Sequence, residues 1–137
     1  MVEYRLLQDY SGDMLKRIAG FYLSARWIAP GDDTAFLLPA LQGSFLVAGA
    51  FVDGELAGTA RVLSDGVSDA YIQDVVVAPE FRGQGLGRGL IELLIAELRN
   101  RNVDWIGLVG EPGTETFYQK LKWQEQPGFA LWKAPEI

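Results

Sequence analysis

An α/β fold, a single mixed sheet with helices on both faces, is the architecture this sequence predicts. Three observations carry it. Strand-like apolar runs recur along the chain, residues 11–25 and 85–99 each carry their apolar side chains on one helical face, and a glycine-rich turn joins a strand directly to the second of those helices. The order reads β-α-α-β-β-β-α-β-α-β, with no internal repeat, low-complexity segment or linker, so one domain over residues 1–137 is expected.

Taken in order, residues 2–7 alternate well enough for a first strand. Ser11 then stands as N-cap before Met14, Leu15, Ile18, Phe21, Tyr22 and Ala25, which trace one helix face. Ala29-Pro30-Gly31-Asp32 stops that helix, and Asp32 is positioned to cap a second one through about Leu41, with a bend near Pro39. Residues 45–52 and 56–63 flank Asp53-Gly54, the favoured two-residue hairpin turn, and Asp65-Gly66 turns into a strand over 70–77. Leu86, Leu90, Leu93, Leu94 and Leu98 then face one way along a helix over 85–99. A strand over 105–109, a turn at Glu111-Pro112-Gly113-Thr114, a helix over 115–121 and a last strand over 128–133 complete the series.

Composition narrows the chemistry. A chain of 137 residues buries roughly two-thirds of its unfolded surface, enough for a core without staples. It contains no cysteine and no histidine, which removes disulfides, thiolate nucleophiles, Ser-His-Asp arrangements and the common zinc sites, so no metal is expected. A net charge of −6 with 12 scattered Lys and Arg argues against a nucleic-acid partner. No apolar run approaches the ~20 residues that cross a bilayer, and charges interrupt the N-terminal apolar residues at once, so no membrane association and a cytoplasmic location are expected.

The most informative segment is Arg82-Gly83-Gln84-Gly85-Leu86-Gly87, between the strand over 70–77 and the helix over 85–99. Three glycines let backbone N–H groups crowd around an anion, and the positive end of the helix dipole points to the same place, which predicts a bound pyrophosphate. A Walker loop would need Gly-Lys-Ser/Thr, whereas Gly87 precedes Arg88-Gly89. A dinucleotide fingerprint would need glycine at 88 or 90, where Arg88 and Leu90 stand.

Val77-Ala78-Pro79-Glu80-Phe81-Arg82-Gly83-Gln84-Gly85-Leu86-Gly87 closely resembles the acyl-coenzyme A loop of the GNAT acyltransferase superfamily, V-x-P-x-x-R/Q-x-x-G-x-G/A, and meets every position. Phe117-Tyr118-Gln119-Lys120-Leu121 is similar to that family's F-Y-x-K-x-G-F segment, although Lys122-Trp123 replace Gly-Phe, which suggests an altered turn. Thr114 stands where many members carry an asparagine that touches the cofactor. The resemblance implies a GNAT-like, mostly antiparallel central sheet and transfer of an acetyl group from acetyl-CoA (coenzyme A) to the primary amine of a small molecule.

It also implies roles for residues. The pantetheine arm would lie along the backbone of Val75, Val76 and Val77, and the pyrophosphate on the loop of Arg82, Gly83, Gln84, Gly85, Leu86, Gly87 and Arg88. Tyr118 would protonate the leaving thiolate. Family bases come from fourth-strand places that correspond to Tyr71 and Gln73, which share one sheet face but carry no carboxylate. That leaves three candidates: Glu111 at the end of the fifth strand; Asp74, which alternation turns away unless a bulge re-aims it; and a water relay. Trp27, with Tyr22 and Arg26 nearby, falls in the region that lines the acceptor pocket. The bland alternatives are core packing for Trp27 and Tyr118 and a salt-bridged carboxylate for Asp74. A non-catalytic acyl-CoA-binding module and a protein or peptide N-acetyltransferase are the alternative functions. Apolar residues in the 128–133 strand suggest a homodimer.

Overall fold

A computed structural model describes residues 1–135. Five strands, β1 (Val2–Leu6), β2 (Leu46–Val52), β3 (Glu55–Ser64), β4 (Asp69–Val77) and β5 (Trp105–Gly107), form one sheet in sequential order. The first four pair antiparallel and β5 joins β4 in parallel. Helices α1 (Gly12–Ser24) and α2 (Leu37–Gln42) cover one face. Helix α3 (Leu86–Asn100) covers the other, and α4 (Glu115–Lys120) follows β5.

The alternation of β2 explains the two layers. Leu46, Ala48 and Ala50 face α3 with Leu90, Leu94 and Leu98, while Val47 and Phe51 face α1 with Ile18 and Phe21. Small residues in the strands under α3, among them Ala48, Ala60 and Ala70, let the helix approach closely. Gly89 shows how closely: a Cβ there would overlap the Tyr4 ring.

Two bulges break the period. β3 carries an extra residue at Ala57, whose carbonyl accepts from the Ala78 N–H at 2.8 Å. β4 carries one opposite Ala60, because Arg61 pairs with Gln73 but Thr59 pairs with Val76. Before that bulge Ala70 and Ile72 face α3; after it Val75 and Val77 pack on that side and Val76 faces α1. Asp74, at the bulge, has φ +55.

Several expectations are corrected. No helix begins at Asp32, because its carboxylate accepts from the Ala29 N–H and closes a turn instead. α2 starts at Leu37, which places Pro39 within the first turn where its missing N–H costs nothing, so it does not bend the helix. β5 is three residues long and stops at Gly107. The strand over 128–133 is absent: these residues lie in no helix or strand, and Phe129, Leu131 and Trp132 are all exposed. A strand needs a ladder to join, and β5 offers only a short one.

Candidate functional site

The glycine loop owes its shape to two left-handed residues, Gly83 (φ +81) and Gly85 (φ +77). A Cβ at either would meet nothing within 4 Å, so glycine is required there by backbone conformation and not by space. Gly85 is the N-cap of α3 and supplies no side-chain cap. The first intrahelical bond runs from Gly89 N–H to the Gly85 carbonyl, so the N–H groups of Leu86, Gly87 and Arg88 are left to an outside acceptor.

Pairing between β4 and β5 covers only Asp69, Ala70 and Tyr71 on β4. From Ile72 to Val77 the outer edge of β4 meets no strand, so a wedge opens between the two strands and ends at the glycine loop. Val75, Val76 and Val77 border this wedge on the β4 side. The two arginines of the loop are exposed: Arg82 donates from Nε to the Val77 carbonyl at 3.3 Å, and Arg88 is paired with Glu92 at 2.7 Å.

Tyr118 is half-buried, and burial pushes its hydroxyl above the ordinary tyrosine pKa. Its ring meets Phe117 and Trp123 edge-on at 5.0 and 6.0 Å. Phe117 lies 3.5 Å from where a Cβ on Gly87 would stand, so α4 packs against the start of α3. The motif that contains Phe117 does not by itself reveal this contact, which depends on how α4 docks. Glu111 is exposed in the turn four residues beyond β5, not at the strand end. Its carbonyl accepts from the Thr114 hydroxyl at 2.6 Å, which occupies the Thr114 side chain locally.

On the α1 side, Tyr71 and Gln73 precede the bulge on the same face. Tyr71 is exposed and its ring stands 5.4 Å from that of Trp105; Gln73 is half-buried. The bulge turns Asp74 toward α1, where its Oδ2 accepts from Arg61 Nε at 2.7 Å and from the Tyr22 hydroxyl at 3.1 Å. Burial, then the charge and hydrogen bond of Asp74, drive the Tyr22 hydroxyl far above its ordinary pKa. Arg61 also reaches the Ser44 hydroxyl at 3.3 Å. It was missed by sequence reading, yet a charge in the middle of an otherwise apolar strand was the available signal. Trp27 is half-buried, edge-on to Tyr22 at 5.2 Å.

The ends of α1 and α4 are built alike. Phe21-Tyr22-Leu23-Ser24-Ala25-Arg26-Trp27 and Phe117-Tyr118-Gln119-Lys120-Leu121-Lys122-Trp123 share the order Phe-Tyr, three residues, basic, Trp. In both the basic residue is left-handed, Arg26 at φ +62 and Lys122 at φ +66, and the Trp N–H bonds the Tyr carbonyl at 3.0 Å. This is the Schellman helix end, with its hydrophobic contact supplied by the Trp–Tyr ring pair. Lys122 therefore keeps the left-handed turn that glycine would favour, and the turn is not altered.

A cavity of about 660 Å³ lies on the outer side of α1 among Leu15, Leu23, Ile28 and Leu38, and no residue of β4 or the glycine loop lines it. Among the described residues no group of acidic side chains is arranged to hold a metal ion, and no helix is long and apolar enough to cross a membrane.

The family described as Acetyltransferase (GNAT) matches residues 12–123. Serotonin N-acetyltransferase 2, chloroplastic, of Oryza sativa subsp. japonica is 42% identical over 78 residues, 57% of this chain and 36% of that protein. The chain spans half or less of the length of curated relatives that it matches. Among solved structures, a GNAT family acetyltransferase, SP0256 from Streptococcus pneumoniae TIGR4, superposes with a TM-score of 0.79 at 20% identity, covering 99% of this chain and 100% of that one. A predicted acetyltransferase with acetyl-CoA from Clostridium acetobutylicum gives 0.74 at 21% identity, with 97% and 96% covered.

Proposed function

The chain belongs to the GNAT acetyltransferase family, and from that premise we propose that it moves an acetyl group from acetyl-CoA to the primary amine of a small-molecule acceptor by direct attack. One observation carries this reading: the wedge beside Ile72–Val77 leads straight to the uncapped start of α3 at Gly85. A diphosphate on the N–H groups of residues 83–88 and an extended thiol arm along Val75, Val76 and Val77 fit that shape. A single helix start contributes only about 0.3–1 kcal/mol to an exposed anion, so several main-chain bonds must act together.

In the reaction the amine nitrogen attacks the thioester carbonyl, the C–N bond forms, and the C–S bond breaks as the tetrahedral intermediate collapses. The departing thiolate, with a parent pKa of about 8.5, takes the proton of the Tyr118 hydroxyl. Burial keeps that hydroxyl protonated across the neutral range. The ammonium proton of the acceptor goes to a base or to water. Glu111, an exposed carboxylate with no protein partner among the described residues, is the available group. Trp27, Tyr71 and Gln73 form the acceptor side. A cytoplasmic location is the companion expectation, tested by cell fractionation.

A second reading is a non-catalytic acyl-CoA-binding module, favoured by the absence of a carboxylate at Tyr71 and Gln73. Release of free thiol from acetyl-CoA across polyamines, amino acids, amino sugars, arylalkylamines and peptides separates the two. The first reading predicts release with one small-molecule class; silence across the panel with intact coenzyme A binding supports the second, and release with peptides alone supports a peptide acceptor. Self-association through the exposed Phe129, Leu131 and Trp132 predicts a light-scattering mass near twice the 15.1 kDa of one chain.

A further inference from the structure

We infer that Asp74, Arg61 and Tyr22 form a latch that holds the β4 bulge in register with α1, so that Asp74 positions the donor strand and is not the base. The inference rests on the coenzyme A reading for its functional meaning. Its structural grounds are independent of it. Asp74 occupies the left-handed region at φ +55, a conformation that costs a non-glycine residue energy and persists only where its surroundings fix it.

Here two donors do so from two elements. Arg61 lies on β3 directly across the sheet, paired with Gln73, and Tyr22 comes from the last turn of α1. Both reach the same carboxylate oxygen. The Arg61 and Asp74 side chains are only 18% and 28% exposed, so this pair is largely removed from solvent screening. A third contact, Arg61 to the Ser44 hydroxyl, ties in the segment after α2. The residues immediately after the latch are Val75, Val76 and Val77, whose phase relative to the sheet the bulge sets. A carboxylate oxygen bonded at once to an arginine and a tyrosine from two different elements is an anchor for the backbone that carries it.

Two measurements on the full chain test this: calorimetric titration with coenzyme A, and amide hydrogen exchange across residues 74–77 without ligand. Arg61→Gln and Asp74→Ala are expected to weaken coenzyme A binding about tenfold or more, as loss of a charge-assisted bond does. Tyr22→Phe, the mildest change, is expected to weaken it about threefold and to speed exchange across 74–77 relative to Val62. Asp74→Asn still accepts a bond and tolerates a left-handed backbone, so it should stay within about threefold of wild type. Wild-type affinity and exchange in Tyr22→Phe and Arg61→Gln would overturn the latch. So would an Asp74→Asn chain that binds coenzyme A normally but has lost turnover and the acid limb of its pH profile. Should Arg61→Gln fail to fold, Tyr22→Phe decides. If wild type shows no heat with coenzyme A, the coenzyme A reading fails, and exchange in the Tyr22→Phe chain still decides the latch.

Discussion

The ends of α1 and α4 use the same seven-residue pattern to make the same helix stop, yet they leave their tyrosines in opposite situations. Tyr22 is buried, and its hydroxyl is spent on Asp74. Tyr118 is half-buried at the glycine loop side of the sheet, and its hydroxyl has no protein partner among the described residues. The backbone motif fixes where the ring goes; what faces the ring decides what the hydroxyl does. A tyrosine held by a carboxylate is a structural donor. One raised in pKa by burial alone and left unbonded keeps a proton it can deliver.

The largest expected effect breaks that symmetry directly. Tyr118→Phe should lower kcat by about 10²–10⁴, the usual contribution of a positioned proton donor, with little change in the KM for acetyl-CoA. Tyr22→Phe should leave kcat within a few-fold. Steady-state kinetics on the two variants side by side checks both. Since burial raises the Tyr118 pKa, the basic limb of kcat/KM should lie above pH 10 wherever it reports this group, and a pH profile measures it.

Removing the tryptophans sharpens the comparison on the side of stability. Trp27→Ala and Trp123→Ala each delete the hydrophobic contact of a helix end and should each cost about 1–3 kcal/mol in denaturant unfolding. Trp27→Ala should cost more, because Tyr22 and α1 belong to a buried cluster, whereas α4 contributes no fully buried residue. Arg26→Gly and Lys122→Gly should act in the other direction. Both relieve a left-handed conformation, and a gain of about 0.5–1 kcal/mol is expected at each in the same measurement.

The smallest effect lies away from both helix ends, as a control. Hydrogen bonds from Ser68, first from its side chain, hold the Asp65 carboxyl down at about 2. A depressed carboxyl contributes stability above its unfolded pKa of 3.8 and loses it as pH falls toward about 2. Ser68→Ala should narrow the difference between melting temperatures at pH 5 and pH 2 slightly, and leave the two tyrosines untouched.

The sheet was legible in the sequence because β2, β3 and β4 are apolar runs separated by Asp-Gly turns, and because Ser11 caps α1 as its residue type suggests. The glycine loop was legible for the same reason: left-handed positions at 83 and 85 demand glycine. What was not legible depends on partners distant in sequence. The strand expected over 128–133 failed because nothing in those residues reports that β5 would be too short to receive it. Asp74 is re-aimed by a bulge that only pairing with β3 reveals, and Arg61 gains its role only once that bulge brings the carboxylate to it. The repeated helix end escaped notice because its apolar and basic residues read as ordinary amphipathic helix until the left-handed residues at 26 and 122 are seen.

Titration of coenzyme A into the wild-type chain and into Gly85→Val by calorimetry bears most directly on all of this. The wild type should give saturable heat, and the variant, in which a β-branched residue must leave the left-handed region, should give none. Equal affinity in the two, or no heat in either, would contradict a diphosphate site at the start of α3.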